Sequence, residues 1–232
     1  MRVPLEKYSK LPEVGSTVIV RYEVYGPGVI TMSFAKDVRV YNTTINSHPG
    51  MGIYGSNTEN ILIDGLHVVS KTKELFMSAT ADATHFNCCR GRIDILNSKF
   101  EKMGDDATNV HQMYWVLEEK QSPQKITVVW GKQKGHARLP VDMLPRAGDT
   151  IGFGAQDIRI SNCTFKDVNF WGAGREGAAI LDAAAFSKGT RDKGPVNGTT
   201  LVENCTFTGC GTDPIMLTQT QTPIIKDNVI EP

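Results

Sequence analysis

The sequence predicts an all-β chain wound as a parallel β-helix, and three observations predict it. Helix signals are nearly absent, since the one alanine-rich candidate, GAAILDAAAF (177–186), is short and flanked by glycines. Short alternating segments of a single shape recur along the chain instead. The first and last intervals between them are each 23 residues, about one coil of a parallel β-helix.

The segments read VRVYNTTI (38–45), ILIDGLHV (61–68), IDILNSKF (93–100), IRISNCTF (158–165), TLVENCTF (200–207) and PIIKDNVI (223–230). Each places apolar or β-branched residues two apart, then Asn, Gly or Asp at a bend, then an apolar residue three further on. The bend positions are Asn42, Gly65, Asn97, Asn162, Asn204 and Asp227, at intervals of 23, 32, 65, 42 and 23. Val38 and Val40, Ile93 and Ile95, and Ile158 and Ile160 are the expected inward positions, piling into one apolar column. Asn tolerates the left-handed backbone of a bend and, stacked on its own kind, bonds along a ladder. An antiparallel sandwich is the competing architecture, but it needs tight hairpins, and Asn-Gly occurs only at 197–198.

Two stretches break the period and divide the chain. Residues 1–30 end in VGSTVIVRYEVYGPG and read as the tail of a β-rich excursion leading into the helix. Coils follow over 31–111. Residues 112–157, with strand patterns such as ITVVW and a turn at AGDT, read as an inserted small all-β excursion before further coils over 158–232. The chain is expected to be an interior piece of something longer.

Composition excludes several classes of function. The 232 residues are 40% hydrophobic with 22 glycines, an ordinary globular balance. Twenty-five basic residues cancel 25 acidic ones, which leaves no field to hold a polyphosphate, so nucleic acid is not an expected partner. No apolar run approaches the roughly 20 residues of a spanning helix, and MRVPLEKYSK holds no signal-peptide core. The five cysteines (Cys88, Cys89, Cys163, Cys205, Cys210) include no CxxC and read as small buried hydrophobes. Of the Asn-x-Thr matches at Asn42, Asn162, Asn197 and Asn204, three already have an explanation as bend plus strand residue.

Chemistry concentrates in residues 77–111. Asp105 and Asp106 are adjacent, and Asp82 precedes Asp105 by 23 residues, one period. The nine extra residues of that coil fit into KTKELFMSA, so Asp82 is expected about one rung, roughly 4.8 Å, from the pair. Three carboxylates so close cannot all stay ionised. At least one pKa rises, giving an acid for a leaving oxygen while another carboxylate activates water, the division of labour that glycoside hydrolysis uses. Gly-Asp-Asp is also a common turn, and clustered aspartates on a β-helix also bind Ca²⁺, so the residues alone leave turn, calcium and catalysis open. His85 and His111 flank the cluster, either as structural histidines or as hydrogen-bond donors to a sugar.

ADATHFNCCRG (81–91) followed by FEKMGDDATNVH (100–111) resembles glycoside hydrolase family 110, the α-1,3-galactosidases acting on blood-group B and related glycans. VYGPG and SHPGMGIYG (47–55) resemble it too. The likeness is dense over about 24–111 and weaker over 158–230. It implies a right-handed parallel β-helix with small β-barrel-like excursions, no cofactor, no metal, and an inverting mechanism using three aspartates. By motif these are Asp82, Asp105 and Asp106. By analogy with polygalacturonases, Asp105 is the general acid, and Asp82 and Asp106 position and deprotonate the water. Asn109, His85, His111, Trp171 (stacking on galactose) and Glu176 (accepting from its hydroxyls) are the candidate substrate contacts. Family sequences often carry Gly where this chain has Gln112, and they are considerably longer.

The expected function is exo-acting removal of terminal α-1,3-linked galactose. A polygalacturonase-type hydrolase is the rival enzyme, although its Gly-His-Gly and Arg-Ile-Lys tripeptides are missing here. A non-catalytic glycan-binding β-helix is the rival from another class. The expected partner is a carbohydrate, without membrane insertion, and a homodimer is left open. A glycan substrate implies a secreted, periplasmic or cell-surface protein.

Overall fold

The computed structural model describes residues 13–15, 19, 21, 23, 25–112, 115–122, 125–130, 155–168, 178–184, 197–211, 213–218 and 220–232. Over the described residues the chain winds through six successive coils, each adding one strand to each of three six-stranded sheets. The first coil holds β1 (Ile30–Ser33), β2 (Lys36–Tyr41) and β3 (Thr44–Asn46). The second holds β4 (Ile53–Ser56), β5 (Glu59–Asp64) and β6 (His67–Val69), and the third β7 (Thr84–Asn87), β8 (Arg90–Leu96) and β9 (Lys99–Glu101). The fourth starts with β10 (Thr108–Gln112). It is interrupted by an antiparallel pair, β11 (Trp115–Ser122) and β12 (Lys125–Trp130), and resumes with β13 (Ala155–Ser161) and β14 (Thr164–Lys166). The fifth holds β15 (Ala178–Ala184), β16 (Asn197–Glu203) and β17 (Thr206–Thr208), the sixth β18 (Asp213–Leu217), β19 (Thr220–Lys226) and β20 (Val229–Glu231). Every pairing within the three large sheets is parallel, so the chain is a parallel β-helix.

The repeat intervals reappear as strand register. In the second sheet Val38 pairs Ile61, Ile61 pairs Ile93, Ile93 pairs Ile158, Ile158 pairs Thr200 and Thr200 pairs Pro223. The bends are left-handed: φ is 47° at Asn42, 49° at Asn97, 55° at Asn162, 53° at Asn204 and 55° at Asp227, and Gly65 takes the same turn at 73°. Their amides form part of a ladder, Asn162 Nδ2 donating to Asn97 Oδ1 at 3.2 Å and Asn97 Nδ2 to Asp64 Oδ1 at 2.7 Å. A Cβ on Gly65 would sit 2.8 Å from Asn42 Oδ1, so a side chain on this rung would have to push that amide aside. A second left-handed column, Asp37, Asn60 and Gly91, turns the chain where it enters the second sheet, with Asn60 Nδ2 on Asp37 Oδ1 at 2.8 Å.

Alternate residues of each strand fill the interior. Ile61, Ile63, Ile93, Ile95, Ile158 and Ile160 are buried, while Val38 and Val40 of the first coil are only partly so. Phe100, Phe165 and Phe207 stack with ring centroids 5.3 and 4.7 Å apart, the second pair within 6° of parallel. Burying each such ring contributes about 1.5–3 kcal/mol. Cys89, Cys163 and Cys205 are buried in the same core and form no disulfide. Among the described residues no helix is long and apolar enough to cross a membrane.

Candidate active site

The acidic residues sit where the chain leaves the third sheet and enters the first. Two rungs meet there residue on residue, because Thr84 pairs Thr108 and His85 pairs Asn109. Carried back two residues, that register lays Asp-Ala-Thr (82–84) over Asp-Ala-Thr (106–108), with Ala83 N–H on Asp106 O at 3.0 Å and Thr84 N–H on Ala107 O at 2.9 Å. Asp82 therefore stacks on Asp106, and Asp105 stands one residue before that step. The interval of 23 counted in the sequence reaches Asp105, whereas the rung register here is 24. The repeated Asp-Ala-Thr was the signal that could have located it.

Small residues make this corner possible. Ala81, Ala83 and Ala107 are fully buried and turn inward, so the neighbouring Asp82 and Asp106 face the other way. Gly104 lies so close to the preceding rung that a Cβ would sit 2.6 Å from Thr80 O and 2.8 Å from Arg21 Nη1. Arg21 clamps the two rungs together, donating from Nη1 to Thr80 O at 2.6 Å and to Gly104 O at 3.2 Å.

The three carboxylates converge, with an oxygen from each lying within 4.8 Å of the others. Asp82 and Asp106 are 2% and 3% exposed, and Asp105 is half-buried. Asp106 is held at both oxygens, Oδ1 by the Ala178 N–H at 2.7 Å and Oδ2 by Asn109 Nδ2 at 3.0 Å. Asp82 Oδ2 lies 2.6 Å from His85 Nδ1, and Asp105 Oδ2 accepts the Tyr25 hydroxyl at 3.0 Å. The contacts to His85 and Asn109 are both made three residues along, so the two rungs repeat the same arrangement with different side chains.

Burial and mutual repulsion move the protons. Asp106 is pushed up to about 8, first by burial and then by the charges of Asp82 and Asp105. Asp82 rises well above the ordinary carboxylate range, by burial and then by Asp105. His85 is pressed down to about 4 by burial, so its imidazole is neutral at physiological pH despite touching Asp82. Tyr25, though 69% exposed as a residue, is pushed up to about 12 by burial of its hydroxyl end and by Asp105 beside it, and so stays a donor.

These six predicted residues, Asp82, Asp105, Asp106, His85, Asn109 and His111, come together on one corner and the adjoining outer face of the first sheet. His111 Nε2 lies 2.8 Å from His85 Nε2, and Tyr54 stacks on the other side of His85 with centroids 5.7 Å apart. Asn109 Oδ1 is a buried acceptor with no protein partner, beside the cluster. Trp171 and Glu176 lie outside the described residues. Sequence reasoning missed Arg21, Tyr25 and Tyr54, although VYGPG and GMGIYG had already carried part of the family likeness.

Three converging carboxylates also offer oxygens of the kind Ca²⁺ takes, but Ca²⁺ uses six to eight of them. Here an oxygen of each aspartate already faces a side-chain hydrogen-bond group or a backbone N–H, so a cation bound at this corner would compete with those partners.

No family model matches the chain. Its curated relatives are consistent in name. It is 30% identical over 174 residues to an α-1,3-galactosidase B of Phocaeicola vulgatus, a match covering 63% of this chain and 28% of that protein. Another α-1,3-galactosidase B, from Bacteroides thetaiotaomicron, is 22% identical over 226 residues, 95% of this chain and 36% of the relative. A third, from Parabacteroides distasonis, is 35% identical over 103 residues, 43% of this chain and 17% of the relative. The chain thus spans between 17% and 36% of the length of these relatives. Over that span the resemblance first seen in ADATHFNCCRG and GDDATNVH is shown: the chain is similar to the α-1,3-galactosidases, of the glycoside hydrolase family 110 type.

Proposed function

We propose that this chain carries the catalytic corner of a glycoside hydrolase that removes terminal α-1,3-linked galactose with inversion and without a metal. The observation that carries the proposal is the meeting of three carboxylates from two stacked rungs, two of them buried and holding protons unusually tightly. The names of the relatives supply the galactoside. Asp105, the least buried of the three, protonates the leaving oxygen. Asp82 and Asp106 hold the attacking water and take its proton. The buried pair holds its protons tightly, so turnover requires one of them to pass to the group that protonates the leaving oxygen. Asn109 Oδ1 accepts from a sugar hydroxyl or from the water. A glycan of this kind is met outside the cell, in keeping with a secreted, periplasmic or cell-surface enzyme.

The carboxylate spacing favours a second stereochemical outcome. Inverting enzymes ordinarily separate their carboxyls by about 6.5–9.5 Å and retaining ones by about 5–5.5 Å, and the oxygens here lie within 4.8 Å. Anomer-resolved NMR of galactose released from an α-1,3-galactoside decides between them. β-Galactose formed first supports inversion, α-galactose formed first replaces it with retention, and no release at all favours a glycan-binding role. Asp105→Asn is expected to lower kcat by about 10²–10⁴-fold while sugar binding persists. Dialysis against a chelator is expected to leave the rate unchanged, and its loss would point to a cation at the cluster.

A further inference from the structure

Asp82 is cut off from solvent, yet it has a hydrogen-bonded route to the outer face of the first sheet. Its Oδ2 lies 2.6 Å from His85 Nδ1, and His85 Nε2 lies 2.8 Å from His111 Nε2. Both ring nitrogens of His85 are therefore engaged inside the protein, which leaves neither to bind a sugar. A neutral imidazole carries a single N–H, so it donates at one nitrogen and accepts at the other. The state of Asp82 then sets the direction of every bond in the chain.

We infer that His85 and His111 form a proton relay for Asp82, with His85 a positioning residue that reverses its tautomer whenever the carboxylate gains or loses a proton. When Asp82 is protonated, its O–H donates to His85 Nδ1 and His85 Nε2–H donates to His111 Nε2. Discharge moves the Asp82 proton to His85 Nδ1 and the His85 Nε2 proton to His111 Nε2, while one proton leaves His111 from Nδ1. Asp82 ends ionised, both imidazoles end neutral in the opposite tautomer, and one proton has left the site.

The surroundings suit the task. Tyr54 of β4 stacks on His85, His111 of β10 meets it edge-on with centroids 4.7 Å apart, and Asp82 and Asp105 are the charged groups facing it from the corner, with Asp106 behind Asp82. Burial keeps His85 neutral, as the relay requires. A base that takes a proton from water in every cycle has to release it, and a carboxylate only 2% exposed needs a path by which to do so. This use in turnover rests on the hydrolase proposal, but the tautomer reversal does not.

Long-range ¹H–¹⁵N spectra of the labelled protein report histidine tautomers directly. As pH rises from about 5 to about 9, His85 is expected to remain neutral, and His85 and His111 to exchange Nδ1–H and Nε2–H patterns together at a single midpoint. Asp82→Asn should freeze both in one pattern. The relay is overturned if His85 keeps one tautomer while Asp82 titrates, or appears as imidazolium in that range. With an α-1,3-linked galactose disaccharide as the probe, His111→Ala should lower kcat about 10-fold or more at unchanged KM, and free imidazole should restore it. A loss confined to KM, or one that imidazole leaves untouched, overturns the relay in catalysis. If the wild-type protein releases no galactose, the hydrolase proposal fails while the spectra still decide the relay.

Discussion

Phe100, Phe165 and Phe207 lie over one another in the third sheet, and Asp82 lies over Asp106 at the corner between the third sheet and the first. Both columns come from the same rule, that each residue of a coil rests on its counterpart in the next. In the aromatic column like meets like favourably, since each ring covers apolar area of its neighbour. In the acidic column the same juxtaposition raises two pKa values, because neither burial nor a neighbouring carboxylate suits a negative charge. A β-helix thus gathers identical side chains whether or not their contact is stabilising.

Breaking the favourable column should have the largest effect on stability. Phe165→Ala leaves a ring-sized gap between two flanking phenylalanines and is expected to cost about 3–5 kcal/mol in denaturant unfolding. A cost near zero would mean that the coils collapse independently of their aromatic stack. Relieving the unfavourable column should show in the pH dependence. Asp106 has a folded pKa of about 8 against an ordinary 3.8, so the folded state binds the proton more tightly than the unfolded chain. Its contribution is fully present below the unfolded value and is lost as pH climbs through the folded one. Unfolding midpoints of the wild type should therefore fall between about pH 4 and pH 8, and Asp106→Asn should flatten that slope. An equal slope in both proteins would remove the excess proton from this corner. The smallest effect belongs to the bend ladder. Asn162→Ala places a Cβ residue at φ 55° and removes the bond to Asn97, for an expected loss of about 1–2 kcal/mol, with Asn162→Gly nearer the wild type.

Much of this architecture was legible because periodicity is a property of residue order. The intervals 23, 32, 65, 42 and 23 are the registers of the second sheet, and each predicted bend residue has a positive φ. The gathering of Asp82, Asp105 and Asp106 followed from the same stacking. The one-residue difference in rung partner did not, because a count between bend positions cannot show where a corner takes up an extra residue. Arg21 and Tyr25 reach the site from outside the regular coils, so no period points to them. Tyr54 belongs to a coil, but nothing in a strand pattern says which exposed ring will cover a histidine on the next rung. The column at Asp37, Asn60 and Gly91 was hidden because its three residues share backbone geometry but not type.

Between β10 and β13 the chain departs for residues 113–154 and returns with Ile158 still opposite Ile93. Closing a longer loop costs little more than closing a short one, since the penalty grows only with the logarithm of length. Such a corner therefore tolerates a long detour of the chain while the scaffold beneath keeps its alignment. The wall that holds the three aspartates is then insulated from whatever length of chain leaves at that edge.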